Sequence, residues 1–417
     1  MATRRRYRRV PWSAVTRRLV LIGALGAAVA AGGVVTGVVL AAGGSSTSAQ
    51  PVQQQTGALD LHPIAGNFKP DGTKLSDCHD QLCYEQAFGN VAYYKGPKAA
   101  LALFAKEMAA NKAIESGCHR IAHKIGSASL VRYHGNIPEA FAQGSSICWS
   151  GYYHGILERA FYGISSEAGL IKAARRVCAS PGLQRNEWLL YQCVHGLGHG
   201  LMISTGYDLP FALRVCDKLQ TSWDQTSCTG GVYMENVNAA NGTSIGFKTP
   251  WVRDNDLVYP CDAPVARGHE LYCYLMVTSR ILAANGYDWK ATAKICSQVA
   301  KAWIATCFQS FGRDADGTTR QDPMQDKELC KLAGRWEGEC VYGVVRDMTA
   351  NYAGGRQASG FCRIVDTRLK GFCYQGLGTV LGTLHPGTAG SRAACARFSP
   401  KPFLDACLRG AGVPATA

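Results

Sequence analysis

The spacing of cysteines constrains this chain more than any other feature. Among its 417 residues are eighteen cysteines, and nine of them open similar segments: Cys118, Cys148, Cys193, Cys228, Cys273, Cys307, Cys340, Cys373 and Cys407. Most steps between them are 33–35 residues, two steps of 45 hold insertions, and the first is 30. A period near 34 residues indicates a solenoid in which each repeat is two helices and a turn. A second cysteine precedes most of the nine by ten to fifteen residues, as in 178/193, 216/228, 261/273, 296/307, 330/340, 362/373 and 395/407. That separation suits a staple from the first helix of a repeat to the start of its second. Elimination leaves Cys78, Cys83, Cys118 and Cys148, whose connectivity the sequence leaves open; Cys78–Cys83 with Cys118–Cys148 is the expectation that completes nine pairs. The expected fold is all-α: a right-handed αα-hairpin solenoid with intra-repeat disulfides, behind one N-terminal transmembrane helix.

A hairpin of this size buries little apolar surface alone. Each staple removes unfolded-state entropy worth about 2–4 kcal/mol in the chain-entropy account. Glycine follows the motif cysteine by three residues at Gly151, Gly196, Gly231, Gly343, Gly376 and Gly410. Glycine inside a helix costs about 1 kcal/mol relative to alanine, so its recurrence needs a reason. Close helix–helix approach is the favoured one, and room for a ligand is the other.

The repeat length and cysteine logic over roughly residues 90–410 resemble the disulfide-stapled αα-hairpin solenoids of the Sel1-like and tetratricopeptide class. The resemblance implies an architecture and no chemistry. The Trp-Leu-Gly-Tyr consensus of tetratricopeptide repeats is absent.

The N-terminus places the chain. Seven arginines and no acid lie within residues 1–56, so the remainder carries only half of the +14 formal charge. That remainder has no basic block interleaved with aromatics, which argues against a nucleic-acid partner. Residues 1–18 read as a cytoplasmic basic stub and the uncharged apolar run at 19–42 as a transmembrane anchor of bilayer length. Residues 43–60 read as a flexible linker, and 61–417 as the extracytoplasmic solenoid. A cleaved signal ending near Thr47-Ser48-Ala49 is the alternative. An even number of cysteines, none in a CxxC and all beyond the apolar run, fits an oxidising compartment. The expected location is the cell membrane, single-pass, with the C-terminal domain outside the cytoplasm.

Five of the ten histidines fall in three successive repeats. His119/His123, His154/Glu158 and His195/His199 are spaced i, i+4, which puts both members of each pair on one helix face. Three neighbouring helices offering such pairs could enclose one or two metal ions. Imidazole with carboxylate suits a divalent transition metal such as zinc, copper or iron. The competing reading is a hydrogen-bonded histidine cluster without metal. Aligning repeats on the cysteine gives a column six residues later: His154, His199, Met234, Ser279, Arg313, Arg346 and Thr379. Glu235, beside Met234, could be a further ligand, a general base on metal-bound water, or a solvated helix glutamate. Tyr152 and Tyr153 read as packing, and Arg313-Asp314 and Arg346-Asp347 as structural ion pairs or caps. The insertion at 236–260 could cover the site.

Other chemistries drop out. There is no GxSxG elbow and no phosphate-binding loop, and His269-Glu270 lacks the second histidine of a zincin helix. The first expectation is therefore a membrane-anchored extracytoplasmic metal-binding protein. If the centre is catalytic, a metal-dependent hydrolase or oxidoreductase is the natural class. The second is a non-catalytic repeat scaffold that binds a protein or peptide on its solenoid face in the cell envelope.

Overall fold

The structure is a computed structural model and describes residues 67–148, 150–164, 166–241 and 249–414. These form twenty α-helices and six short 3-10 turns, with no strand among them. The hairpin repeats are present and stapled as expected. All eighteen cysteines are paired, as Cys78–Cys83, Cys118–Cys148, Cys178–Cys193, Cys216–Cys228, Cys261–Cys273, Cys296–Cys307, Cys330–Cys340, Cys362–Cys373 and Cys395–Cys407.

The expected fold class is corrected in its membrane part. No helix among the described residues is long and apolar enough to cross a membrane. The physical reason is their pattern: even the longest, Ser222–Ala240, intersperses Ser, Thr, Asn and Glu with its apolar positions. The run at 19–42 that carried the transmembrane expectation lies outside the described residues, as do the stub and linker flanking it.

One repeat shows how sequence becomes hairpin. Gly286 and Tyr287 take left-handed backbone angles and end the preceding helix. Asp288 then caps the next, its carboxylate accepting from the Ala291 amide at 2.9 Å. Helix Trp289–Cys296 is tied by Cys296–Cys307 to helix Ile304–Thr319, through a 3-10 turn at Lys301–Trp303. The indole of Trp303 stacks on Tyr274 of the preceding repeat at 5.5 Å between ring centres. The same turn, Gly206-Tyr207-Asp208, starts an earlier repeat.

The second helices form an inner row, each packed on the next along the chain. Their order is Gln81–Lys95, Cys118–Arg132, Gly151–Phe161, Glu187–Ser204, Ser222–Ala240, Glu270–Ala284, Ile304–Thr319, Glu337–Asn351, Lys370–Leu384 and Leu404–Gly410. The row curls on itself. The Glu187–Ser204 helix touches Lys370–Leu384, and Ser146 Oγ donates to the Asn351 carbonyl at 2.7 Å. Arg320 pairs with Glu115 across the same gap.

Glycine sets the spacing within the row, and it does so in reciprocal couples: Gly126/Gly155, Gly198/Gly231, Gly312/Gly343 and Gly378/Gly410. A Cβ added at Gly155 would lie 1.8 Å from the His123 carbonyl oxygen, and one at Gly126 would lie 1.9 Å from that of Tyr152. The other three couples are as tight, at 1.8–2.1 Å. Close backbone approach is thus the reason for these glycines. The working unit is a pair of inner helices rather than one repeat, and helix Glu270–Ala284 stands between two pairs without a glycine couple of its own.

Candidate metal centre

The site lies where the first two helix pairs meet. His119 and His123 project from Cys118–Arg132, and His154 and Glu158 from Gly151–Phe161. The next pair supplies His195 and His199 from Glu187–Ser204, started by Asn186, and Glu235 from Ser222–Ala240, started by Thr221. All seven side chains are buried, with His154, His199 and Glu235 fully enclosed.

Ligand atoms of His119, His154 and His199 lie within 4.8 Å of one another. The rings of His154 and His199 are nearly parallel, 3.8 Å between centres. His123, His195, Glu158 and Glu235 surround this trio rather than joining it. Their contacts orient it. His119 Nδ1 donates to the Cys148 carbonyl at 2.8 Å, and His195 Nδ1 to the Ser227 carbonyl at 3.3 Å. His199 Nδ1 donates to Glu235 Oε2 at 2.8 Å, and His123 Nδ1 donates to Glu158 Oε1. Tyr207 Oη donates to the other oxygen of Glu235 at 3.1 Å. Trp251, from the insertion, holds the Tyr207 carbonyl through its indole N–H at 2.9 Å. The insertion's described part therefore buttresses the partner of a histidine.

An oxygen acceptor at Nδ1 fixes the tautomer and puts the lone pair on Nε2. The Nε2 atoms of His119 and His199 then belong to the centre. Asn238 Nδ2 approaches His119 Nε2 at 3.4 Å, as a donor does toward a lone pair. Neither nitrogen of His154, nor Nε2 of His199, has a hydrogen-bond partner among the described residues. Unpaired buried nitrogens of this kind cost on the order of 1–3 kcal/mol each and need an explanation.

Electrostatics separates one histidine from the rest. Burial, then the charge of His123, pushes His119 down to about 3. Burial pulls His195 down to about 4 despite its carbonyl bond. Burial and neighbouring imidazoles hold His154 and His199 well below the ordinary range. Burial also opposes charge on His123, but Glu158, by charge and hydrogen bond, outweighs it and lifts the group. The centre thus keeps neutral imidazoles where a metal needs them. His123 Nε2, 3.0 Å from His119 Nε2, supplies the proton that reconciles those two atoms without an ion.

The trio opens on one side. His119 lines a cavity of about 620 Å³ on the concave face, with Asn238, Met276, Arg313 and Asp347 among its other walls. An ion held by three imidazoles would be reached from there. Tyr152 and Tyr153 are buried core residues, and Tyr152 Oη donates to the Ala140 carbonyl at 2.7 Å. Arg313 pairs with Asp314 at 2.7 Å as expected, whereas Arg346 makes no ion pair with any described residue.

Sequence reading missed Tyr207, Trp251 and Asn238. No spacing rule connects them to the histidines, because the fold brings them in from a turn, an insertion and the far end of a helix. No family model matches the chain, nor does any curated protein or solved structure, so the resemblance to the Sel1-like and tetratricopeptide class stays at the level of stapled helical hairpins.

Proposed function

We propose that this is a transition-metal-binding protein of an oxidising, extracytoplasmic compartment, with His119, His154 and His199 as the protein ligands. One observation carries the reading: three buried imidazoles converge, and the nitrogens of His154 and His199 Nε2 lack any described protein partner. A histidine cluster serving only the fold would leave each imidazole bonded to its own acceptor. An all-nitrogen set favours zinc, copper or iron over calcium or magnesium. Three protein ligands with an open side is the pattern of reactive rather than closed structural zinc sites. Such an ion would supply Lewis acidity or an activated water. Glu235 and Glu158 serve as orienting partners of His199 and His123, the arrangement that raises ligand basicity around metals. The full pairing of eighteen cysteines supports the oxidising location.

The deciding experiment is elemental mass spectrometry on untagged protein made in an oxidising compartment, beside a His119→Gln/His154→Gln/His199→Gln variant. Near-stoichiometric metal in the parent, absent from a variant whose unfolding midpoint matches that of the metal-stripped parent, is the expected result. A folded parent that carries no metal and takes up none on dialysis against zinc, copper and ferrous ions overturns the reading.

A further inference from the structure

A second cavity, of about 300 Å³, lies on the concave face and shares Met234, Met276, Arg313 and Asp347 with the larger one. Its walls have a different character. Trp188, Tyr191 and Trp223 come from the second helix pair, Tyr272 from the lone helix Glu270–Ala284, and Arg346 from the third pair. Trp188 stacks on Tyr191 at 5.6 Å between ring centres, and Tyr191 stacks on His195 at 5.5 Å, making one continuous wall of roughly parallel rings. Trp223 meets Tyr191 edge-on at 6.1 Å.

Arg346 is the unusual member. Its guanidinium makes no hydrogen bond or ion pair with any described residue, and its Nε is fully buried. The other cation of the cavity, Arg313, is already bound to Asp314 and Ser279. The one acid in the wall, Asp347, accepts from Asn351 at 2.7 Å. A half-buried cation in an aromatic-walled pocket, with the Tyr342 ring 5.9 Å from its guanidinium carbon and no counter-ion of its own among the described residues, favours an anionic ligand. Four aromatic rings by themselves would suit a cationic ligand. Arg346 reverses that preference, and its planar fork matches a carboxylate in two places. The volume falls at the small end of ligand sites, room for one ring and its acid group.

We propose that this cavity binds a small aromatic carboxylate, with its ring against the aromatic lining of Trp188, Tyr191, Trp223 and Tyr272 and its acid group on Arg346. The assignment does not depend on a metal being bound. The cavity is bounded on one side by His195, so a ligand seated there lies beside the histidine cluster and could reach the larger cavity past Met234 and Met276.

The test is isothermal titration of the full chain, stripped of metal with a chelator, with benzoate, benzamide, benzylamine and acetate. Benzoate should bind saturably and at least tenfold more tightly than the other three. Arg346→Gln should weaken benzoate about tenfold or more, and Arg346→Lys, which keeps charge but loses the fork, should fall between. Trp223→Leu should weaken benzoate without changing the response to acetate. Benzylamine binding as tightly as benzoate overturns the proposal, as does an Arg346→Gln protein of unchanged unfolding midpoint that keeps the parent's affinity. Should that variant not fold, the ranking of the four probes on the parent decides by itself. Failure of metal binding leaves these expectations unchanged, so the two readings fail separately.

Discussion

His199 and Arg313 each directly follow the glycine that opens the first helix of their pair to close contact, and Glu235 and Asp347 each lie four residues beyond the glycine of the second. The two pairs are therefore built to one register, yet their chemistry differs. In the second pair a carboxylate accepts the hydrogen bond of His199 Nδ1 and leaves Nε2 without a partner among the described residues. In the third, Arg313 is consumed by Asp314, Ser279 and the Met276 sulfur, and Asp347 bonds to Asn351. An imidazole can turn a lone pair toward an ion; a guanidinium has none and stays charged. One backbone frame thus presents converging imidazoles in one pair and an arginine–aspartate cluster in the next.

The largest expected effect breaks the frame in both places. Gly231→Ala drives a methyl into the His195 carbonyl and Gly312→Ala drives one into that of Cys340. Each should destabilise the chain by about 3 kcal/mol or more, at the upper end of overpacking costs. Denaturant unfolding checks the cost, and elemental analysis should show metal lost from the first variant only. Equal loss from both would mean that the two pairs are not independent.

Exchanging the chemistry while keeping the frame comes next. His199→Arg with Glu235→Asp writes the third pair's residues into the second. The double variant should fold and bind no metal, measured by elemental analysis beside an unfolding curve. Retained metal would show that His199 is not a ligand.

A smaller effect separates orienting from ligating. Glu235→Gln keeps an acceptor for His199 but removes the charge, and should weaken metal affinity roughly 10–100-fold. Asp347→Asn, at the equivalent position, should leave affinity unchanged. Competition with a chromophoric chelator reads both.

The smallest effect is a difference in pH response. Burial raises Asp326 and Asp347 to about 6, and burial with the charge of Asp347 raises Asp316 well above the ordinary carboxyl range. The native state there holds more protons than the unfolded chain, so this contribution to stability is complete below about 4 and is lost as pH rises through about 6. Histidines held down behave oppositely. With His119 at about 3 and His195 at about 4, the metal-stripped protein loses stability as pH falls below about 6.5 toward those values. Hydrogen exchange read helix by helix from pH 4 to 7 should show protection rising with pH at 118–132 and 187–204 and falling at 304–319 and 337–351. Parallel profiles at both ends would contradict the contrast.

Much of this was legible in advance, for physical reasons. A staple joins neighbouring helices of one hairpin, so cysteine separation gave seven of the pairs, while the connectivity of the other four cysteines, Cys78–Cys83 and Cys118–Cys148, came from the structure. Spacing of i, i+4 put His119 with His123 and His195 with His199 on shared faces. Cysteine alignment, however, set His154, His199, Arg313 and Arg346 in one column. The glycine contacts instead match His199 with Arg313, and His154 with Gly230 and Tyr342. The cysteine can sit anywhere in the first turns, whereas a glycine couple fixes where two backbones touch.

The amino-acid sequence alone determined the all-α hairpins, seven of their nine staples and a histidine-rich stretch, since helix period and disulfide reach are local properties. Only the tertiary structure decided that three of those histidines converge, that Tyr207 and Trp251 steady them, and that Arg346 lines one cavity with His195 without an ion pair among the described residues. Those facts depend on pairing of the inner helices and on the curl of their row, which bring together residues far apart in sequence.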